Sequence, residues 1–115
     1  MTEIKDPMDG LIQELKRGTL VLGVLSQLNR PLYGYLLVEQ LSEKGMDIDK
    51  NTLYPLLRRL EKQELLISEW NVEESRPRRY YQLSDKGNDV LKKLSDEWAA
   101  LNRVIENLIN ESERS

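Results

Sequence analysis

From Asp85 to Asn110 the chain contains no proline, and its apolar residues recur at alternating steps of three and four. This spacing is the narrow seam of a coiled coil, and it predicts one long helix. Ser84 stands where the N-cap of that helix belongs. The seam consists of Leu91, Leu94, Trp98, Leu101, Ile105 and Leu108, with Val90, Val104 and Ile109 beside it. A helix with such a face needs an apolar partner surface.

The beginning of the chain offers part of that surface. Residues 9–28 keep the apolar spacing of a helix, and from Leu20 to Leu28 apolar side chains surround the predicted helix almost completely. We expect this second half to be buried on more than one side. The first helix can cover some of the seam within one chain, but its all-round apolar half indicates that both elements join a dimer interface. We therefore predict a two-fold homodimer whose interface includes the six seam residues.

Two further helices are predicted between these ends. Residues 33–44 have helical apolar spacing and stop before Gly45, which suits a left-handed C-terminal cap. The next helix carries a single apolar face formed by Leu53, Leu56, Leu57 and Leu60. Pro55 lacks an N–H and is comfortable only near a helix start, so we expect the cap close to Asn51 or Thr52.

Two strands follow, at Leu65–Glu73 and Arg78–Leu83, with a turn over residues 74–77, and we expect them to pair as a hairpin. Three helices followed by a two-stranded ribbon form a winged helix-turn-helix, whose third helix can enter a DNA major groove. The predicted fold is mainly α with a small β-hairpin, that is, α+β. Residues 1–83 form the winged helix-turn-helix with the N-terminal helix, and residues 84–115 form the dimerisation helix of the same compact unit.

The third helix is polar and basic opposite its leucines. Residues 51–83 hold six basic and five acidic residues, whereas the rest of the chain holds 11 basic and 15 acidic ones. Side chains able to read base edges are Asn51, Tyr54, Arg58 and Arg59. Side chains suited to phosphates are Lys50, Lys62, Arg76, Arg78 and Arg79. Thr52, Pro55 and Tyr33 complete the predicted DNA-binding set.

A structural interpretation competes with this one. A charged stripe opposite an apolar face is usually only a solvated surface, and Tyr33 is equally suited to core or hinge packing. The sequence Arg76-Pro77-Arg78-Arg79 favours DNA, because a proline-stiffened arginine cluster on a hairpin does little for folding and much for phosphate binding.

Five stretches of the chain form a distinctive set of motifs. They are Tyr33-Gly34-Tyr35, Asn51-Thr52-Leu53-Tyr54-Pro55, Arg59-Leu60-Glu61, Trp70, and the run from Arg76 to Leu83. Together they resemble the PadR family of bacterial transcriptional regulators. The resemblance covers about residues 11–110 and implies a homodimeric repressor with a winged helix-turn-helix and a C-terminal dimerisation helix. A single C-terminal helix is similar to the smaller subfamily, which includes regulators of multidrug transporters.

Three positions depart from the family pattern. Asn51 and Glu64 stand where glycines are usual, and a wing glycine is replaced around Ser75. Asn51 tolerates the change as a capping residue. Glu64 lies at a helix end, and there we expect a less comfortable turn.

Trp98 in the seam has two interpretations. The ring either fills the dimer interface, or two symmetry-related rings line an apolar slot where a flat hydrophobic or cationic effector stacks and relieves repression. The second is similar to how multidrug-responsive members of the family work. Candidate slot walls are Leu15, Thr19, Leu94 and Ala99, although ordinary helix packing explains them as well.

Composition excludes several other functions. The chain has no cysteine and no histidine, which removes the usual zinc sites, cysteine nucleophiles and histidine bases, so we predict no enzyme, metal or cofactor. No apolar run reaches bilayer length and the N-terminus carries acidic residues, so we expect a cytoplasmic protein. The competing function is a winged-helix module that binds protein, with Trp70, Tyr80 and Tyr81 as anchors.

Overall fold

The computed structural model describes residues 6–73 and 75–114. Their elements are α1 (Met8–Arg17), α2 (Leu20–Ser26), β1 (Leu32–Tyr33), α3 (Gly34–Glu43), α4 (Lys50–Lys62), β2 (Leu66–Asn71), β3 (Arg78–Leu83) and α5 (Asp85–Arg114). The three strands form one antiparallel sheet in the order β1-β3-β2. This is the predicted mainly helical fold with a small hairpin.

The prediction of one helix over residues 9–28 was wrong, because α1 ends at Arg17 and α2 begins at Leu20. At the break, the backbone N–H and the hydroxyl of Thr19 both donate to the Lys16 carbonyl, at 3.0 and 2.6 Å. A β-branched residue that bonds the preceding turn, next to Gly18, favours a helix end. In α2, Val24 and Leu25 are buried as expected, whereas α1 has no buried residue.

Helix α4 buries the four leucines predicted for it, each at most 8% exposed. Its N-cap is Asp49, whose Oδ1 accepts from the Thr52 N–H at 2.9 Å, so the cap expected at Asn51 or Thr52 was placed too late. An aspartate caps better than a threonine. The helix tolerates Pro55 in its interior because the carbonyl that loses a donor belongs to the exposed Asn51.

The C-terminal end of α4 confirms the uncomfortable turn expected at Glu64, which has a φ of 66°. The Leu65 N–H donates to the Leu60 carbonyl at 3.0 Å, and the Glu64 N–H donates to the Glu61 carbonyl at 2.9 Å. This pair of bonds is a Schellman motif. Leu65 belongs to the cap, so β2 begins one residue later than predicted and also ends earlier, at Asn71.

The sheet contains one strand that was not predicted. Leu32 pairs with Tyr81 and Tyr33 pairs with Tyr80, which joins the start of α3 to the hairpin. Two residues are too few to show a period of two, so the sequence pattern carried no sign of β1.

Helix α5 begins at the predicted cap, with the Gly87 N–H donating to Ser84 Oγ at 3.0 Å. Its first turns pack on the core through Val90, Leu91 and Leu94. From Trp98 to Ile109 its large apolar side chains are exposed. None of the helices in the described part of the chain is both long and apolar enough to cross a bilayer.

Candidate nucleic-acid interface

Eight of the predicted DNA-binding residues lie on the solvent-exposed surface of α4, outside its leucine face. They are Lys50, Asn51, Thr52, Tyr54, Pro55, Arg58, Arg59 and Lys62. The buried leucines fix the rotation of the helix, because turning it would expose that apolar face to water. One side of α4 therefore serves the core and the other is available to a ligand.

The N-terminal end of α3 approaches α4 closely at Gly34. A Cβ at that position would lie 2.5 Å from Cε1 and 2.6 Å from the hydroxyl oxygen of Tyr54. Glycine is therefore what allows the Tyr54 ring to lie against α3. The ring remains 37% exposed, so it keeps a surface beside the basic residues of α4.

Tyr33 packs against the wing, which is the hairpin formed by β2 and β3. Its ring meets the Tyr80 ring edge to face, with centroids 5.4 Å apart and planes at 77°. The Arg78 guanidinium lies 4.3 Å from the Tyr33 ring centroid, within the range of a cation–π contact. Tyr33 thus packs on Tyr80 of the wing and also supports an arginine of the wing.

A cleft of about 390 Å³ separates α4 from the wing. It is lined by Tyr33, Gly34, Tyr54, Arg58, Trp70, Pro77, Arg78, Arg79 and Tyr81. Five predicted DNA-binding residues meet there, two tyrosines and three arginines. The cleft combines cations with flat aromatic surfaces, a combination that suits a phosphodiester backbone and its sugars.

Other predicted residues lie away from this cleft. Arg59, Thr52 and Pro55 line a second depression together with Arg17 and part of α2. Arg76 is exposed in the turn of the wing. The predicted set therefore occupies two sides of α4 and the tip of the hairpin.

Arg79 is held by the protein itself. Its Nη2 donates to Glu61 Oε1 at 2.8 Å, and its Nε donates to Ser68 Oγ at 3.0 Å. The Ser68 hydroxyl donates to the other Glu61 oxygen, and the guanidinium lies 5.5 Å from the Tyr81 ring centroid. The sequence interpretation missed Glu61 and Ser68. The available signal was a lone acid within the basic α4 and a serine two residues after the buried Leu66 of β2.

Two tyrosines of this region have raised pKa values. Burial raises the pKa of the Tyr81 phenol. A hydrogen bond with Glu39, and then the charge of that carboxylate, raise the pKa of the exposed Tyr35 at the first turn of α3. Both phenols are therefore neutral donors at pH 7.

The predicted dimer and effector residues divide into two groups. Leu91 and Leu94 are half-buried against the core of their own chain. The exposed group consists of Trp98, Leu101, Ile105, Leu108 and Leu15. Thr19 and Ala99 are half-buried. Most of the seam is thus left uncovered within one chain.

Comparison with known proteins identifies the family. Residues 21–93 match the Transcriptional regulator PadR-like family. The chain belongs to this family. The match runs from α2 through the wing into α5, and it confirms the resemblance carried by the tyrosine, asparagine and arginine motifs.

Solved structures and a curated relative agree with the PadR assignment. A PadR family transcriptional regulator from Eggerthella lenta is 48% identical with a TM-score of 0.85, over 89% of this chain and 91% of that one. A PadR family regulator from Clostridium difficile is 28% identical with a TM-score of 0.73, over 80% of this chain and 99% of that one. A transcriptional regulator of Mycobacterium tuberculosis is 35% identical over 81 residues, which are 70% of this chain and 76% of the relative.

These similarities establish a PadR-like transcriptional regulator with a winged helix-turn-helix. Regulators of this family bind DNA, and proteins of this class are in general not enzymes.

Proposed function

We propose that this PadR-like regulator is a homodimeric repressor that binds a pseudo-palindromic operator in double-stranded DNA. In each subunit, α4 reads bases in the major groove and the wing contacts the neighbouring backbone. The observation that carries the proposal is the arrangement of α4, with four buried leucines on one face and eight exposed residues of the predicted DNA-binding set on the rest of its surface. An operator is chromosomal or plasmid DNA, so the proposal places the protein in the cytoplasm.

The dimer part of the proposal rests on uncovered apolar surface. Trp98, Leu101 and Ile105 of α5 are 49 to 61% exposed, and Leu15 of α1 is 78% exposed. Large apolar patches on a soluble protein mark interfaces. In this proposal residues 84–115 join the subunits and residues 1–83 read DNA, with recognition helices about 34–36 Å apart, one turn of duplex.

Operator binding is tested by retention of labelled genomic fragments, including the region upstream of this protein's own gene, against random competitor DNA. We expect one fragment to be preferred, with log affinity falling linearly with log salt concentration. Light scattering of the free protein should give twice the 13.5 kDa mass of one chain. A folded protein that prefers no fragment, even at low salt, would contradict the proposal.

The effector part of the proposal concerns Trp98. Two Trp98 rings at the two-fold axis form a slot for a flat aromatic or cationic compound, walled by Leu15, Thr19 and Leu94, as in the multidrug-responsive regulators that this chain resembles. Calorimetric titration with a planar cationic dye tests it. Trp98→Ala should lose binding, whereas Trp70→Ala, which also removes one tryptophan, should keep it. Equal dye affinity in both variants would exclude the slot.

A protein-binding winged helix is the second candidate, and the apolar exposure of β2 favours it. Ile67 and Trp70 are 52% and 61% exposed, and Val72 just beyond the strand is 70% exposed. Aromatic anchors of this kind are frequent in protein interfaces. The salt titration separates the two functions, because a protein partner would show only a mild dependence where DNA shows a steep one.

A further inference from the structure

The hydrogen-bond network around Arg79 connects three elements of the winged helix-turn-helix. Arg79 lies on β3, Ser68 on β2 and Glu61 on α4. The arginine bonds both other side chains, and the serine bonds the glutamate, so the three form a closed triangle. Among the hydrogen bonds found in the described residues, these are the ones that join α4 to both wing strands through side chains.

The triangle lies at the place where the hydrophobic core ends. Leu66 and Leu83 pair at the base of the hairpin and are buried, and Tyr81 opposite Ser68 is buried as well. The described wing residues farther from the base, 69–73 and 75–80, contain no buried side chain. Beyond Tyr81, the Tyr33–Tyr80 ring contact joins the wing to the start of α3, but no buried side chain of these wing residues ties the wing to α4.

Arg79 is one of the predicted phosphate contacts, but its charge is already paired with the Glu61 carboxylate. Its side chain is 36% exposed and that of Glu61 is 28% exposed, so the ion pair is half-buried with two defined N–H donors. Three of the five guanidinium N–H groups remain, but a phosphate bound to them would lie beside the Glu61 carboxylate, and the two anions repel each other. A phosphate that took the Nε or Nη2 donor would break the pair. Breaking a partly buried charge pair in this way is costly.

On the proposed DNA-binding function, we infer that Arg79, Glu61 and Ser68 are positioning residues that hold the wing at a fixed angle to the recognition helix, and that Arg79 does not contact phosphate. The major groove and the backbone are read by different elements, so their relative angle decides whether both can bind one site. The triangle fixes that angle before DNA arrives, and it thereby contributes to sequence preference more than to general affinity.

The test measures the ratio of operator to random-DNA affinity over a range of salt concentrations. Glu61→Gln should lower this ratio about ten-fold, the effect of losing a charge-assisted bond. Glu69→Gln is the control, because it also removes one carboxylate, from β2 of the adjoining hairpin and outside the triangle. The control should leave the ratio unchanged. A Glu61→Gln variant that binds the operator more tightly, with an unchanged or higher ratio, would overturn the inference.

Arg79→Met keeps the aliphatic part of the side chain near Tyr81 and removes the guanidinium. Its ratio should fall as in Glu61→Gln, the double variant should lose no more than the larger single loss, and the slope of log affinity against log salt should stay at the parent value. A slope reduced by about one would mean that Arg79 neutralises a phosphate, and the inference would be wrong.

Hydrogen exchange in the DNA-free protein tests the triangle even if no operator is found. Ser68→Ala changes no charge and removes one hydroxyl, so it is the variant that best preserves the fold. The amides of β2 and β3 should exchange about ten-fold faster in this variant, while those of α5 keep the parent rate. Unchanged exchange in the hairpin would overturn the inference whatever the DNA results. If the parent protein prefers no DNA fragment but the Ser68→Ala hairpin exchanges faster, the proposed function is refuted and the role of the triangle in the free protein stands.

Discussion

Helix α4 and the outer half of α5 are both amphipathic, but they bury their apolar faces in different ways. The four leucines of α4 are at most 8% exposed within one chain. On α5, Trp98, Leu101 and Ile105 are 49 to 61% exposed in the same chain. Helical periodicity identified the apolar face of both helices. The structure of the chain adds which face is covered within one chain and which one stays exposed.

The two helices therefore have opposite functional faces. In α4 the apolar side packs in the core and stabilises the domain, and the polar side is exposed to solvent. In the outer part of α5 the apolar side itself is exposed, and it is the surface that we propose for association. Substitutions on the apolar faces should thus affect folding in α4 and association in α5.

Leu57→Ala should have the largest effect on the stability of the chain. Leu57 is fully buried, and a leucine truncation in a packed core costs about 2–5 kcal/mol of unfolding free energy. Urea denaturation at several protein concentrations should show the same loss at each. Leu101→Ala is the control on α5, and its loss should instead depend on concentration. A loss below about 1 kcal/mol for Leu57→Ala would mean that α4 is not anchored by its leucines.

Ile105→Asp should separate the subunits. A charge in the middle of the apolar seam should weaken dimerisation about 100-fold, which corresponds to about 2.7 kcal/mol. Sedimentation or light scattering across a dilution series measures it. Asn110→Asp adds the same charge on the opposite side of the helix and should leave the mass unchanged. If the two variants dimerise alike, the outer half of α5 is not the interface.

Arg58→Ala should alter base preference without removing DNA binding. Arg58 is exposed on α4 and lines the cleft, and loss of a bidentate base contact relaxes discrimination by about 1–3 kcal/mol. Arg78→Ala in the wing should instead weaken all sequences alike and lower the salt slope by about one. Competition binding with a library of single-base operator variants distinguishes the two. An unchanged preference profile for Arg58→Ala would exclude it from base reading.

Much of the contrast between α4 and α5 could be predicted from the sequence, because it depends on the local periodicity of apolar residues. The offsets of the α4 leucines, the Ser84 cap and the β3 strand are properties of short segments, and the structure confirms them. The strain at Glu64 could be predicted too, since only the residue type at a helix end was needed.

One of the missed features depends on competition between a side chain and continuation of the helix. The other depends on contact between residues that are far apart in the sequence. Apolar spacing continues through Gly18 and Thr19, so the pattern did not show that the Thr19 hydroxyl ends α1. The Glu61–Arg79 pair joins residues 18 positions apart, and it depends on the register of the hairpin and its tilt toward α4. Neither quantity is encoded in a local period.

The smallest predicted effect concerns the two helix ends of the helix-turn-helix. Both α3 and α4 close with a Schellman motif, but α3 has Gly45 at the left-handed position, with φ of 98°, whereas α4 has Glu64, with φ of 66°. A residue with a side chain costs about 1 kcal/mol or more at positive φ. Glycine removes this strain, but it also makes the unfolded chain more flexible, which cancels part of the gain in stability. Glu64→Gly should therefore raise the unfolding free energy by about 0.5–1 kcal/mol.

Glu64→Gln is the control for that measurement, because it removes the charge and keeps the strain. The Glu64 carbonyl that accepts from the Ser84 hydroxyl at 2.6 Å is present in both variants, so the joint to α5 is preserved. The gain in Glu64→Gly should be the same at every protein concentration, since α4 is anchored within one chain, and the dimer affinity should not change. A gain equal in both variants would attribute the effect to charge at the helix end and not to backbone strain.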